Sequence, residues 1–221
     1  EEYLEEEKDK YNRYPAEKSI LAKYNLMEKP VVNIWARMLA EKLKEKYPQL
    51  KFSRPKFHFL STIDIDNAWA FKNKGFWRSI GAVAKSFSNG KFSEAKKRLQ
   101  VWQGKEPDPY DTYKYLDSVF KGNEKKTLFF FLIGDYKRHD KNISPSNKAF
   151  QNLIKNTADK YGVGIHPSYF SSKKKGKGSL IKEIERLGKI TSQKPVKSRQ
   201  HFLRLKLPRT YRRLIKAGIK E

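Results

Sequence analysis

Six consecutive apolar residues, Leu128-Phe129-Phe130-Phe131-Leu132-Ile133, follow Thr127 and run directly into Gly134-Asp135. A strand with no polar alternation must be covered on both faces, which is the situation of a strand inside a parallel sheet flanked by helices. The run is far too short to cross a bilayer, which needs about 20 residues. Three more segments read as strands: 57–65, Tyr161 to His166, and Val196 to about His201. Helical patterns alternate with them. Residues 30–47 place Val31, Ile34, Trp35, Met38, Leu39 and Leu43 on one stripe that ends before Pro48. Further helices are expected from Asp108-Pro109 to about Phe120, over 145–160 with Pro145 at the first position, over about 179–188, and after Pro208. Between the first and second strands lies a long basic and aromatic insertion, 71–104. Phe76, Trp77, Ile80, Val83 and Phe87 form one stripe there, and Ser88-Asn89-Gly90 makes a turn. Strand, helix, strand, helix points to an α/β fold with a parallel sheet, in residues 51–221, preceded by a helical arm over 1–50.

In such folds chemistry gathers beyond the carboxyl ends of the strands. Asp64 and Asp66 close the first strand, and alternation sends both carboxylates to one side. Two acids so placed repel each other and resist desolvation, so they call for a cation, an arginine or several donors. Asp135, His166, Arg199 and His201 lie at or just past the ends of the later strands. Trp69 and Tyr169 neighbour these positions and are candidates to line a sugar site by ring stacking, although aromatics there serve equally as plain wall. The bland alternative makes one aspartate a helix cap and the other an exposed strand end, with His201 a polar residue bonded to a carboxylate. His58, at the far end of its strand, is expected to pack, and His139 to be a solvated residue of the basic loop 137–140.

Charge narrows the partners. The net charge is +25, yet residues 1–50 hold ten basic and ten acidic residues, so the whole excess lies beyond them. From 171 onward there are 17 basic and 3 acidic residues, including the run Lys173-Lys174-Lys175-Gly176-Lys177. Such a field attracts nucleic acid, anionic lipid or an acidic polymer, while lysines scattered at helical spacing read equally as solvated faces. With no cysteine there is neither a disulfide nor a thiolate metal site, and a cytoplasmic location is the default expectation. The chain opens on Glu1, so a natural N-terminus is expected to precede it.

Three ordered segments, Thr62-Ile63-Asp64-Ile65-Asp66, Gly164-Ile165-His166-Pro167-Ser168 and Arg199-Gln200-His201-Phe202, resemble the first three motifs of the polysaccharide deacetylase family. Residues 11–16, 29–33 and 108–112 are similar to a bacterial branch of that family with an extra N-terminal region. The resemblance implies a deformed (β/α) barrel and a metal-dependent carbohydrate esterase. It makes Asp64 the catalytic base, Asp66 and His166 metal ligands, and Arg199 the arginine that orients the base and keeps it charged. Three departures accompany it. Ile65 separates two aspartates that are adjacent in the family, Phe170 stands where a second histidine ligand is usual, and the last motifs with the general-acid histidine lie beyond the end of this chain.

His201 offers a replacement for the missing ligand, because it lies two residues after Arg199 and shares its face if the strand continues. Asp66, His166 and His201 would then form an oxygen-and-imidazole site for zinc, or otherwise cobalt, nickel or manganese. Together these features lead to the expectation of a metal-dependent hydrolase of amide or ester bonds in acetylated oligo- or polysaccharides, contacted through Trp69, Asp135 and Tyr169. With the barrel cut short and its general acid missing, this chain is expected to release acetate slowly. Two alternatives are a catalytically lapsed saccharide-binding relative, suggested by Phe170, and a nucleic-acid-binding protein, suggested by the charge.

Overall fold

The computed structural model describes residues 8–53, 56–173, 176 and 178–221. Of the basic run, Lys174, Lys175 and Lys177 lie outside the described residues. The chain divides into two compact units, Glu1–Phe59 and Leu60–Glu221.

The first unit is helical. Ser19 accepts the amide of Ala22 at 3.1 Å and so caps α1, Ile20–Lys23. The longer α2, Val31–Lys46, starts after Pro30 and stops before Tyr47-Pro48. Its apolar stripe is largely open, with Trp35, Met38 and Leu39 each more than half exposed. Phe57, His58 and Phe59, expected within a strand, are exposed coil instead.

The second unit is an α/β sandwich built on three parallel strands in the order β1 (Ser61–Ile65), β2 (Thr127–Phe131) and β3 (Gly162–Ile165). β2 is central and buried throughout, as its apolar run requires. Its Phe129 and Phe131, continued by Ile133, face the main core with Phe150 and Ile154 of α6 (Lys148–Ala158) and Ile184 and Leu187 of α7 (Ser179–Thr191). Spacings of three and four residues put those side chains on one face of each helix. Asn147, rather than Ser144-Pro145, caps α6 by accepting the amide of Phe150 at 3.0 Å.

The sheet is open among the described residues, and no closed barrel is formed. The expected fourth strand is reduced to one parallel bridge, Ser198 to Ile165, with amides of Ile165 and Arg199 bonded across it. Beyond it the amide of Ser198 donates to Glu221 and the amides of Lys220 and Glu221 donate to Val196, continuing the parallel pattern by one short step. After Gln200 the chain leaves extended geometry for a 3-10 turn, His201–Leu203, with Phe202 at φ 60° and Leu203 at φ 50°. His201 therefore reaches its place from a turn and not from a strand face.

The long insertion folds as a helical hairpin, α3 (Phe76–Ser88) and α4 (Phe92–Trp102), joined through Gly90 at φ 69°. Its aromatic stripe lies mostly on the outside, with Trp77 82% exposed. Asp108 does not open a helix; α5 begins at Tyr113 and ends at Val119. Its buried carboxylate accepts the amides of Ala70, Phe71, Lys72 and Tyr110 between 2.7 and 3.0 Å, fixing the start of the insertion just after Asp66. The last helix is α8, Arg209–Lys216.

Candidate metal centre

Register places the site. Asp64, Phe130 and Gly164 are neighbours across β1, β2 and β3 and share one face of the sheet. Gly164 is required there, because a Cβ would lie 2.5 Å from the Phe130 ring and 2.8 Å from the Lys197 carbonyl. Two residues further on, alternation returns Asp66, Leu132 and His166 to that face. The ladder persists to this level, since Leu132 donates its amide to Ile65 and His166 donates to Phe131.

Asp66, His166 and His201 each bring one ligand atom within 4.8 Å of the others. The Asp66 Oδ1 lies 3.2 Å from His166 Nε2 and 3.6 Å from His201 Nε2, and the two imidazole centroids are 5.0 Å apart. Both histidines are buried, while the Asp66 side chain is 55% exposed, so the cluster opens to solvent on the carboxylate side. Each ring is fixed through its other nitrogen. His166 Nδ1 bonds the backbone carbonyl of Arg199 at 2.6 Å, and His201 Nδ1 bonds the Asp140 carboxylate at 3.0 Å.

This donor set fits a divalent ion. With Nδ1–H donating outward on both rings, two Nε2 lone pairs and a carboxylate oxygen face one point, an arrangement that needs a proton or a cation between them. Tetrahedral bonds of about 2.0–2.1 Å separate neighbouring ligand atoms by roughly 3.3 Å, close to the spacings found from Asp66. In the protonated form, the hydrogen bond from His166 holds the Asp66 carboxyl below its ordinary range; burial works against this, and the charges of His201 and His166 assist it.

Arg199 joins both halves of the site. Its carbonyl anchors His166, and its guanidinium lies 3.4 Å from Asp64 and 5.4 Å from the Phe130 ring. The other residues singled out from sequence have contacts of their own. Asp135 is paired with Arg186 of α7 at 2.7 Å. Trp69 is buried edge-on against Tyr113, whose hydroxyl donates to the Ala68 carbonyl at 2.8 Å. Tyr169 is also buried, packed on His139 and Phe202 beneath Lys173 and Arg204. Phe170 turns its ring to Lys137, 4.2 Å from the ammonium.

Two buried acids in the surroundings were not singled out from sequence. Asp140 is fully buried although its neighbours are Arg138, His139 and Lys141, so the basic stretch reads as a solvated loop. Glu183, on α7, accepts the Ser168 amide at 2.9 Å and its hydroxyl at 2.6 Å, holding the segment that follows His166. Burial pushes the Glu183 carboxyl up to about 7, with the Ser168 bonds opposing that shift. Helical spacing does place Glu183 with Leu180 and Leu187 on the inner face of α7, which is the one hint available.

Residues 1–48 match a family of unknown function (DUF7033). No curated protein and no solved structure matches the chain. No helix among the described residues is long and apolar enough to cross a membrane.

Proposed function

We propose that this chain belongs to a metal-dependent deacetylase acting on N- or O-acetylated saccharides, with the parallel sheet as part of a deformed (β/α) barrel. The observation that carries this reading is the convergence of Asp66, His166 and His201 beside an Asp64–Arg199 pair, with the two aspartates and His166 at the carboxyl ends of parallel strands and Arg199 and His201 on the bridge and turn beside them. Asp66, His166 and His201 would hold zinc or a similar divalent ion, which when bound supplies a Lewis acid for the acetyl carbonyl and lowers the pKa of water. Asp64 would act as the general base. It would take the proton of the attacking water while Arg199 fixes its carboxylate, and the amide or ester bond then breaks to give acetate and a free amine or alcohol. The leaving group needs a proton of its own, and the newly protonated Asp64 would give it.

Zinc or cobalt titration of the chelated protein, followed by acetate assay on an acetylated chitooligosaccharide, tests the reading. One ion per chain and slow, chelator-sensitive acetate release are expected, with Asp64→Asn lowering the rate by about 10²–10⁴ while the ion still binds. Acetate release indifferent to both chelator and Asp64→Asn would overturn it. A lapsed saccharide binder is the second reading, favoured by Phe170 at the usual ligand position; it predicts ion uptake and saccharide binding with no acetate at all.

A further inference from the structure

We infer that Asp140 is a positioning residue of the metal centre, one that sets ion affinity through His201; the inference rests on the metal reading of Asp66, His166 and His201. Asp140 is fully buried, and its Oδ1 lies 3.0 Å from His201 Nδ1. The same carboxylate accepts the Tyr169 amide at 2.7 Å and the Phe170 amide at 3.0 Å. Acid, imidazole and ion site thus stand in line, Asp140 to His201 to Asp66.

Physical chemistry assigns the direction of this chain of bonds. A carboxylate is acceptor-only, so the proton between it and His201 resides on Nδ1, and Nε2 is left to face Asp66. His201 sits in a turn, followed by two residues of positive φ, so no strand ladder fixes its ring as one does near His166. Asp140 supplies that constraint from 61 residues away. The two amide bonds lock Asp140 itself, and they tie it to the segment continuing from His166, so both imidazoles are referred to one rigid loop. Carboxylate–histidine–metal relays of this kind typically change ion affinity by 10–100-fold when broken.

The competing account makes Asp140 a loop staple whose business is only with Tyr169 and Phe170. A double-mutant cycle separates the two. Zinc affinity is measured by chelator competition for the wild type, Asp140→Asn, His201→Ala and the double variant. The positioning role predicts a roughly 10–100-fold loss on Asp140→Asn when His201 is present, and a change under about threefold when it is absent. Equal losses in both backgrounds, or no loss in the first, overturn it. A variant-free readout stands beside the cycle. Nitrogen NMR of the wild-type protein should show His201 Nδ1 carrying its proton with and without zinc, and an unprotonated Nδ1 overturns the inference. Failure of the underlying reading looks different: a wild type with protonated Nδ1 that takes up no zinc refutes the metal site and the affinity claim with it, whereas zinc uptake with equal losses refutes Asp140 alone.

Discussion

At the scale of single residues, His201 stands where the proposed ion site needs a third ligand. Phe170 donates its amide to Asp140 and turns its ring to Lys137, while His201 Nε2 sits 3.6 Å from Asp66. Phe170→His is therefore expected to leave zinc affinity within about threefold of wild type, and His201→Ala to weaken it at least about tenfold. Recovery of affinity in the Phe170→His, His201→Ala double variant would show that position 170 can reach the ion after all. Alternation along β1 was enough to put Asp64 and Asp66 on one side, since period two is a local rule. The Asp140–His201 bond obeys no local rule, which is why sequence was silent on it. The same holds for Asp108, whose residue type suggested a helix cap. Burial would raise its pKa, but the amides of Lys72, Phe71, Tyr110 and Ala70 together lower it below the ordinary value. A depressed folded pKa contributes stability that is complete above the unfolded pKa of about 3.9 and is lost as pH falls through the folded one. Asp108→Asn leaves at least one amide without an acceptor and is expected to cost about 3 kcal/mol in urea unfolding at pH 7. That difference should shrink toward pH 2, and a constant difference would argue against the carboxylate's charge as the cause.

At the scale of elements, the sequence pattern was most informative where an element is buried. The uniform run of β2 became a strand buried throughout, and the helix expected over about 179–188 is α7. In the insertion the stripe marked a helix but not its environment: most of the aromatic stripe of α3 is exposed. The strand expected at 196–201 stops after one bridge because the chain turns at His201. Two glycines show how differently one residue type can be constrained. At Gly164 in β3 a methyl group would meet the Phe130 ring and the Lys197 backbone carbonyl, neither of which can move without disturbing the row that carries Asp64. At Gly81 in α3 nothing lies within 4 Å of an added Cβ. Gly164→Ala is expected to destabilise the protein by about 1–3 kcal/mol through overpacking. Gly81→Ala is expected to stabilise it by about 0.5–1 kcal/mol through helix propensity and reduced unfolded-state entropy. Thermal unfolding of both variants checks the pair, and a lowered midpoint for Gly81→Ala would mean that α3 is not helical around that position.

At the scale of the whole molecule, the question is what a net charge of +25 does. Few of the cations are neutralised by close partners. Lys160 with Asp117, Arg186 with Asp135, Arg98 with Glu94 and Lys197 with Glu221 are pairs, each with at least one partner a third or more exposed and so worth little to stability. The remaining charge acts as a field over the surface, concentrating anions near the protein and favouring encounter with polyanions. Binding by field alone releases counterions and falls steeply with salt, whereas a shaped nucleic-acid site adds stacking or groove contacts that survive screening. The exposed aromatics Phe76 and Trp77 pack edge to face on each other, 5.5 Å apart, an arrangement of a pair already engaged and not of open stacking platforms. Duplex and single-stranded DNA are therefore expected to bind at about 50 mM salt and to be released by about 200 mM, where the loss typically reaches 10³–10⁵ for contacts of 6–10 phosphates. Measured by fluorescence anisotropy, the duplex should show the steeper salt dependence, with slopes of about −0.9 per phosphate contacted against about −0.7 for the single strand. Tight binding of either form persisting near 0.5 M salt would show contacts beyond the field and would move the nucleic-acid reading ahead of the saccharide one.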